Sequence, residues 1–220
     1  MSDSTARELF VLLESISAQA RNGLAFSDNA FDVSRYQEIL AALGRIIRLL
    51  SREGALDNVL SNWSTAQPET PNQEYVTPKI AVSVVTLNDS DDVLLVKRTE
   101  KLWTLPGGYA DVGFDPVQNA EKEVREETGL EIKVMSLIGV YDSNITRFPI
   151  IGSQVYTLAV YAELVGGELK ADPLETKGAA FFALDALPEV APGTLAQVER
   201  AFRLSKGDSL PAFFDHRELN

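Results

Sequence analysis

The chain has 220 residues, 45% hydrophobic and 24% charged, and carries a formal net charge of −12. It has no cysteine and a single histidine, His216. Disulfides, thiolate metal sites and a cysteine nucleophile are therefore excluded, and a Ser-His-Asp arrangement has no G-x-S-x-G elbow to build on. The opening MSDSTARELF lacks the basic stretch and apolar run of a signal peptide, and no run approaches the roughly 20 apolar residues of a membrane span. A cytoplasmic setting without a membrane partner is expected. So acidic a surface disfavours nucleic-acid backbones and suits phosphate chemistry conducted through a divalent cation.

Residues 4–53 read as helical. Leu9, Leu12, Leu13 and Ile16 recur at helical spacing. After a polar break at Ser27, Asp28 and Asn29, Asp32 is the expected N-cap, and Tyr36, Ile39, Leu40, Leu43, Ile46, Ile47 and Leu50 form a second stripe. Two helices cannot bury both stripes on each other, so they pack on the remainder of the chain or on a second copy, and a homodimer is predicted. Residues 51–78 are polar, with Pro68, Pro71 and Pro78 and one short apolar stretch at Val59 and Leu60. They mark a boundary. The expected organisation is a helical, dimerising domain over 1–66, a linker over 67–78 and a second domain over 79–220.

From Lys79 the pattern is rich in strands. Ile80–Leu87, the turn Asn88-Asp89-Ser90 and Val93–Val96 read as a hairpin. Further strands are expected at Ile132–Val140, Val155–Glu163 and Ala179–Ala183, with Val165-Gly166-Gly167 as a turn. Helices are expected at Pro116–Thr128 and Leu195–Leu204. The class is α+β, a sandwich or mixed sheet.

The chemistry is concentrated in Leu105–Leu130, LPGGYADVGFDPVQNAEKEVREETGL. Asp115 can cap a helix, Pro116 suits its first position, Gln118 completes a capping box and Gly129 suits the C′ position. On that helix Val117, Ala120 and Val124 share one face. Glu123, Glu126 and Glu127 fall within an arc of roughly 100° beside it, from the 3.6-residue period. Three carboxylates so placed repel one another, two of them against the dipole of the helix C-terminus. Lys122 and Arg125 on a solvated face are one remedy; a divalent metal taking the carboxylate oxygens is the other. Gly107, Gly108 and Gly113, in a loop bent by Pro106, let the backbone approach a phosphate or a metal.

This segment resembles the signature of Nudix hydrolases: a glycine, five residues, Glu, seven residues, Arg-Glu, an aliphatic residue, any residue, Glu-Glu, any residue, Gly and an aliphatic residue. Gly108, Glu123, Val124, Glu126, Glu127, Gly129 and Leu130 match in register. Phe114 stands where the early Glu is expected, and Lys122 where the Arg is. The resemblance extends over residues 80–205, including the approach Trp103-Thr104-Leu105-Pro106-Gly107-Gly108, Val140-Tyr141-Asp142, Gly166-Gly167-Glu168 and Phe181-Phe182-Ala183-Leu184. It implies an α/β/α sandwich with a mixed sheet, preceded by a small helical domain. The subgroup that the chain resembles includes CDP-choline pyrophosphatases and ADP-ribose hydrolases.

That resemblance implies water attack on a phosphorus of a nucleoside diphosphate joined to a small group, with Mg²⁺ or Mn²⁺. It makes Glu123 and Glu127 metal ligands, with Glu126 a further ligand or water-orienting group and Gly108 the source of a backbone carbonyl. Glu126 and Glu175, the latter in the loop Asp172-Pro173-Leu174-Glu175-Thr176, are the candidate bases. Arg98 closes the first hairpin within reach of phosphate, and a surface role fits it equally. Trp103, Tyr109, Tyr141 and Phe148 are candidates to line the cleft, where aromatic faces would hold a trimethylammonium head; core packing is their other reading. Lys122 keeps the charge but loses the arginine fork, and Phe114 is expected to hold the loop by packing. The two departures also admit a nucleotide-binding sensor with weakened catalysis.

Overall fold

The computed structural model describes residues 3–50, 75–98, 102–146, 154–173 and 175–216. The stretch at Val59 and Leu60, residues 67–74 of the expected linker, and Phe148 lie outside the described residues. The chain divides into two compact units, residues 1–79 with 148–154, and residues 80–147 with 155–220.

The first unit holds α1 (Asp3–Phe26) and α2 (Ala30–Leu50). Leu13, Ala20, Leu43 and Ile47 are buried. Gly23 leaves room for the Tyr36 ring, whose atoms would lie within 2.5 Å of any Cβ there. The cap of α2 differs from the expectation. Asn29 Oδ1 accepts the N–H groups of Phe31 (2.9 Å) and Asp32 (3.4 Å). Asp32 instead sits in the first turn, where it pairs with Arg35 at 3.0 Å. Asn29 precedes the helix and can present its amide oxygen to the free N–H groups; Asp32, inside it, cannot. Leu12, Ile16, Phe31, Ile39, Ile46 and Leu49 remain exposed.

The second unit is a seven-stranded mixed sheet with a helix on each face. Its strands are β1 (Lys79–Leu87), β2 (Val93–Lys97), β3 (Trp103–Thr104), β4 (Leu130–Asp142), β5 (Val155–Gly167), β6 (Ala179–Phe182) and β7 (Phe213–Phe214). The order is β3-β2-β1-β5-β4-β7, with β6 also paired to β2. The ladders β1–β2, β2–β6 and β4–β5 are antiparallel, and β4–β7 is parallel. The helices are α3 (Pro116–Thr128), the single turn α4 (Ser143–Thr146) and α5 (Thr194–Ser205).

Adjacent residues of β1 and β2 enter opposite cores, as a period of two requires. Val84 and Leu94 pack with Ala120 and Val124 of α3. Val85, Val93 and Leu95 pack with Val198 and Ala201 of α5. Each such Val or Leu, fully buried, contributes about 2 kcal/mol of apolar transfer. Ile132 and Ile138 of β4 share parity yet lie in different cores, because the ladder shifts register between Val134 and Ser136 and again between Leu137 and Gly139. These irregularities turn the strand over, so its sequence does not alternate cleanly.

Several boundaries move. Val165-Gly166-Gly167, read as a turn, runs within β5, where Gly167 pairs with Leu130 and Gly166 with Glu131. Gly167 is needed for close approach, since a Cβ would stand 2.5 Å from Gly129 O. Val117, expected on the buried face of α3, is exposed in its first turn. The elements β3, α4 and β7 are two to four residues long, too short to carry a period.

Gly129 ends α3 at φ 71°, and a Cβ there would meet Glu168 O at 2.6 Å. Gly113 has φ 94° with nothing within 4 Å of its Cβ position. Gly113→Ala should therefore cost only backbone strain, about 1 kcal/mol. Gly129→Ala adds a backbone clash and should cost about 2 kcal/mol or more. Urea midpoints of the two variants compare these directly, and equal losses would refute the close-approach argument.

Candidate active site

The glycine loop is laid along β1. Val84 N–H donates to Pro106 O (2.9 Å), Val82 N–H to Gly108 O (2.8 Å) and Ala110 N–H to Ile80 O (3.0 Å). Ala81 bridges Tyr109 in antiparallel sense. At Gly107, φ is 143° and a Cβ would stand 2.1 Å from Val82 O, so only glycine lets the loop lie this close to the strand. Gly108 turns its Cα toward Glu123, whose carboxylate oxygens both lie 2.6 Å from the Cβ position. The Gly108 carbonyl, which the resemblance makes a metal donor, accepts from Val82 and keeps a second lone pair.

Helix α3 brings its carboxylates to this loop at a fixed height. Asp115 accepts from Gln118 N (2.9 Å), Gln118 Oε1 accepts from Asp115 N (3.0 Å), and Gly129 closes the far end in the left-handed conformation. Burial of Ala120 and Val124 fixes the rotation of the helix. Glu127, one turn beyond Glu123, is consequently only 3% exposed. Its carboxylate accepts the Gly107 N–H (2.9 Å) and the Arg98 guanidinium through Nε (2.8 Å) and a terminal nitrogen (2.5 Å). Arg98 also donates to the Gly107 carbonyl. Burial pushes the Glu127 carboxyl above the usual range; Arg98 and the Gly107 N–H oppose that, and Glu123 adds to it. Glu123 is half-buried and pushed up chiefly by desolvation, with Lys122 and Arg98 opposing and Glu126 and Asp111 adding to the rise. Exposed Glu126 accepts from Lys122 Nζ (2.6 Å), which also reaches Asp111 (3.1 Å). These two hydrogen bonds hold the Lys122 ammonium above its ordinary pKa.

Phe114 is about half exposed. Asn119, which sequence reasoning passed over, holds the loop by hydrogen bonds. It is 2% exposed, accepts from Asp111 N–H (2.8 Å), and donates to the carbonyls of Asp115 (3.1 Å) and Phe114 (3.3 Å). Thr176 was also missed; its hydroxyl donates to Glu127 O (3.2 Å) and ties the Glu175 loop to the end of α3. Glu175 itself is exposed in a turn closed by Asp172.

The structure thus gathers Gly108, Glu123, Glu126, Glu127 and Arg98, and sets the Glu175 loop beside them. Tyr109 lies on the glycine loop, half exposed. Trp103 and Tyr141 both pack on the α5-side core. Trp103 is half-buried with its ring edge-on to Phe182 at 4.7 Å. Tyr141 is 3% exposed in the α5-side core against Phe213, because it points inward from β4. Its hydroxyl is pushed up to about 12 by burial and has no hydrogen-bond partner among the described residues.

The donors fit a hard cation: they are carboxylate and carbonyl oxygens, and two of the carboxyls are desolvated and mutually repelling. Among the described residues no three His, Cys, Asp or Glu are gathered as a finished metal shell, since Glu126 and Glu127 are turned onto Lys122 and Arg98. No described helix is long and apolar enough to cross a membrane.

Residues 77–203 match the model of the NUDIX domain. YjhB of Bacillus subtilis (strain 168), named a candidate ADP-ribose pyrophosphatase, is 28% identical over 202 residues, 91% of this chain and 93% of its own. An ADP-ribose pyrophosphatase of Methanocaldococcus jannaschii is 37% identical over 121 residues, 53% of this chain and 69% of its own. Among solved structures, an ADP-ribose pyrophosphatase from Streptococcus suis has a TM-score of 0.56 and 30% identity, covering 63% of this chain and 100% of its own. A UDP-X diphosphatase has a TM-score of 0.53 and 29% identity, covering 94% of this chain and 97% of its own. The domain match runs from the start of β1 into α5 and takes in the whole glycine loop and carboxylate helix, so the chain belongs to the Nudix family and is a pyrophosphohydrolase.

Proposed function

We propose that the chain cleaves the diphosphate of a nucleoside diphosphate joined to a small group, with ADP-ribose the first substrate to test. The observation that carries this is the carboxylate arc of α3 pressed against the Gly107-Gly108 backbone. The two relatives and one solved structure described above as ADP-ribose pyrophosphatases favour ADP-ribose. CDP-choline is the weaker choice: Trp103 and Tyr141, two of the aromatics that would cage a choline head, are engaged in packing. Tyr109 is better read as a surface on which the base or sugar lies.

In the reaction, a water oxygen bonds to one phosphorus and the bridging P–O bond breaks. The products are a nucleoside monophosphate and the phosphorylated small group. Mg²⁺ or Mn²⁺ held by Glu123, Glu126, Glu127 and the Gly108 carbonyl would neutralise diphosphate charge and lower the pKa of the attacking water. Glu126 and Glu175, both exposed, are the candidates to accept the proton, and Glu126 is also the candidate to orient the water. Arg98 binds phosphate once it is released from Glu127. Residues 1–66 serve as a dimerising helical domain and 67–78 as a linker to the catalytic domain 79–220.

Three outcomes are expected. With Mg²⁺ or Mn²⁺ the wild type hydrolyses ADP-ribose in a panel with CDP-choline, NADH, a diadenosine polyphosphate and dGTP. Glu127→Gln loses more than the roughly 100-fold that removal of a ligand's supporting partner costs. No turnover of any panel member by folded protein would turn the reading toward a nucleotide sensor.

The second concerns pH. The Glu123 pKa is raised in the fold, so the folded state binds its proton more tightly than the unfolded chain. Its stabilising contribution is complete below the unfolded value of about 4.3 and is lost as pH rises through the folded value. Metal-free Glu123→Gln should therefore melt above wild type at neutral pH, with the gap closing toward pH 4. Added Mn²⁺ should reverse the order. A gap independent of pH would contradict the assignment.

Third, the exposed apolar residues of α1 and α2 predict a homodimer. A monomer by light scattering at micromolar concentration would remove that part of the reading.

A further inference from the structure

We infer that Asn119 is a positioning residue, the first link of a relay Asn119–Asp111–Lys122–Glu126 that sets the outer carboxylate of the arc. This rests on the metal-dependent hydrolase reading above. The loop Asp111–Asp115 contains Gly113 in a left-handed conformation and a fully exposed Val112. One buried amide pins it at both ends, taking the Asp111 N–H and donating through its nitrogen to Phe114 O and Asp115 O. A buried amide whose oxygen accepts and whose nitrogen donates has no flipped orientation of equal energy.

The loop in turn carries Asp111. Its carboxylate lies 3.1 Å from Lys122 Nζ, which lies 2.6 Å from Glu126. An ammonium is a point charge without the directional fork of a guanidinium. Lys122 therefore needs a second anchor to fix where it presents Glu126, and Asp111 is that anchor. The two departures from the family signature are thereby linked. Asn119 pins the loop on which Phe114 stands, and the pinned loop supplies Asp111 to steady the lysine.

The test compares wild type, Asn119→Ala, Asp111→Asn and the double variant as full-length protein. Amide exchange is measured on metal-free protein, Mn²⁺ affinity by calorimetry, and kcat and KM with ADP-ribose. Asn119→Ala should speed exchange at Asp111 about tenfold or more. Both single variants should weaken Mn²⁺ binding about tenfold, as loss of a ligand's supporting partner does, and should lower kcat with KM nearly unchanged. The double variant should be no worse than either single one, because both break the same relay. Additive losses, or faster exchange with unaltered Mn²⁺ affinity, would reduce Asn119 to loop packing and overturn the inference. Should Asn119→Ala not fold, Asn119→Asp keeps the acceptor for Asp111 and loses the two donations. An intermediate Mn²⁺ affinity supports the relay, and a wild-type affinity overturns it. If wild type itself turns over no ADP-ribose, the substrate assignment fails, while exchange and Mn²⁺ affinity still decide the relay.

Discussion

The buried carboxylate of Glu127 ties together the parts of the catalytic unit that are distant in sequence. It joins the Gly107 N–H from the loop, Arg98 from the end of β2 and its own helix α3. Its main-chain carbonyl adds Thr176 from the loop before β6. An acid 3% exposed must be paired, and here the pairing determines where each segment can stand. Gly107 can approach only because it has no Cβ; the helix can present Glu127 only because Ala120 and Val124 fix its rotation.

The legible parts of the fold were those whose physics is local. The bounds of α3 follow from Asp115, Pro116, Gln118 and Gly129, each acting within one turn of itself, and the structure keeps them at Pro116–Thr128. The cores of β1 and β2 follow from strict alternation. The Gly-rich end of β5 resisted this reading. Gly166 and Gly167 look like a turn in sequence, yet they are a strand that accommodates the backbone of Gly129 and Leu130, a partner some 35 residues away. The irregularities of β4 have the same non-local origin.

The site divides in a similar way. The carboxylates and glycines were readable because spacing alone sets a helical arc. The partners of those groups were not, because they depend on which loop lies beside which strand. Tyr141 admitted two readings, cleft and core, that its own segment could not separate; inward alternation places the ring against Phe213.

Two cations occupy the arc where the proposed function puts a divalent ion. Lys122 and Arg98 offset the repulsion among Glu123, Glu126 and Glu127, so the helix can fold with its carboxylates already close together. The two pairs differ in what they resist. Lys122–Glu126 is exposed and screened by solvent, and its release is easy. Arg98–Glu127 has one partner desolvated, so breaking it without a replacement charge leaves a buried carboxylate unpaired, which is costly. A divalent ion supplies that replacement. Exchange of one cation for another at Glu127 would therefore be the cheap path, and a guanidinium so freed would stand beside the Gly107 backbone. A divalent ion held there and a phosphate on Arg98 would thus be linked by charge balance at a single carboxylate.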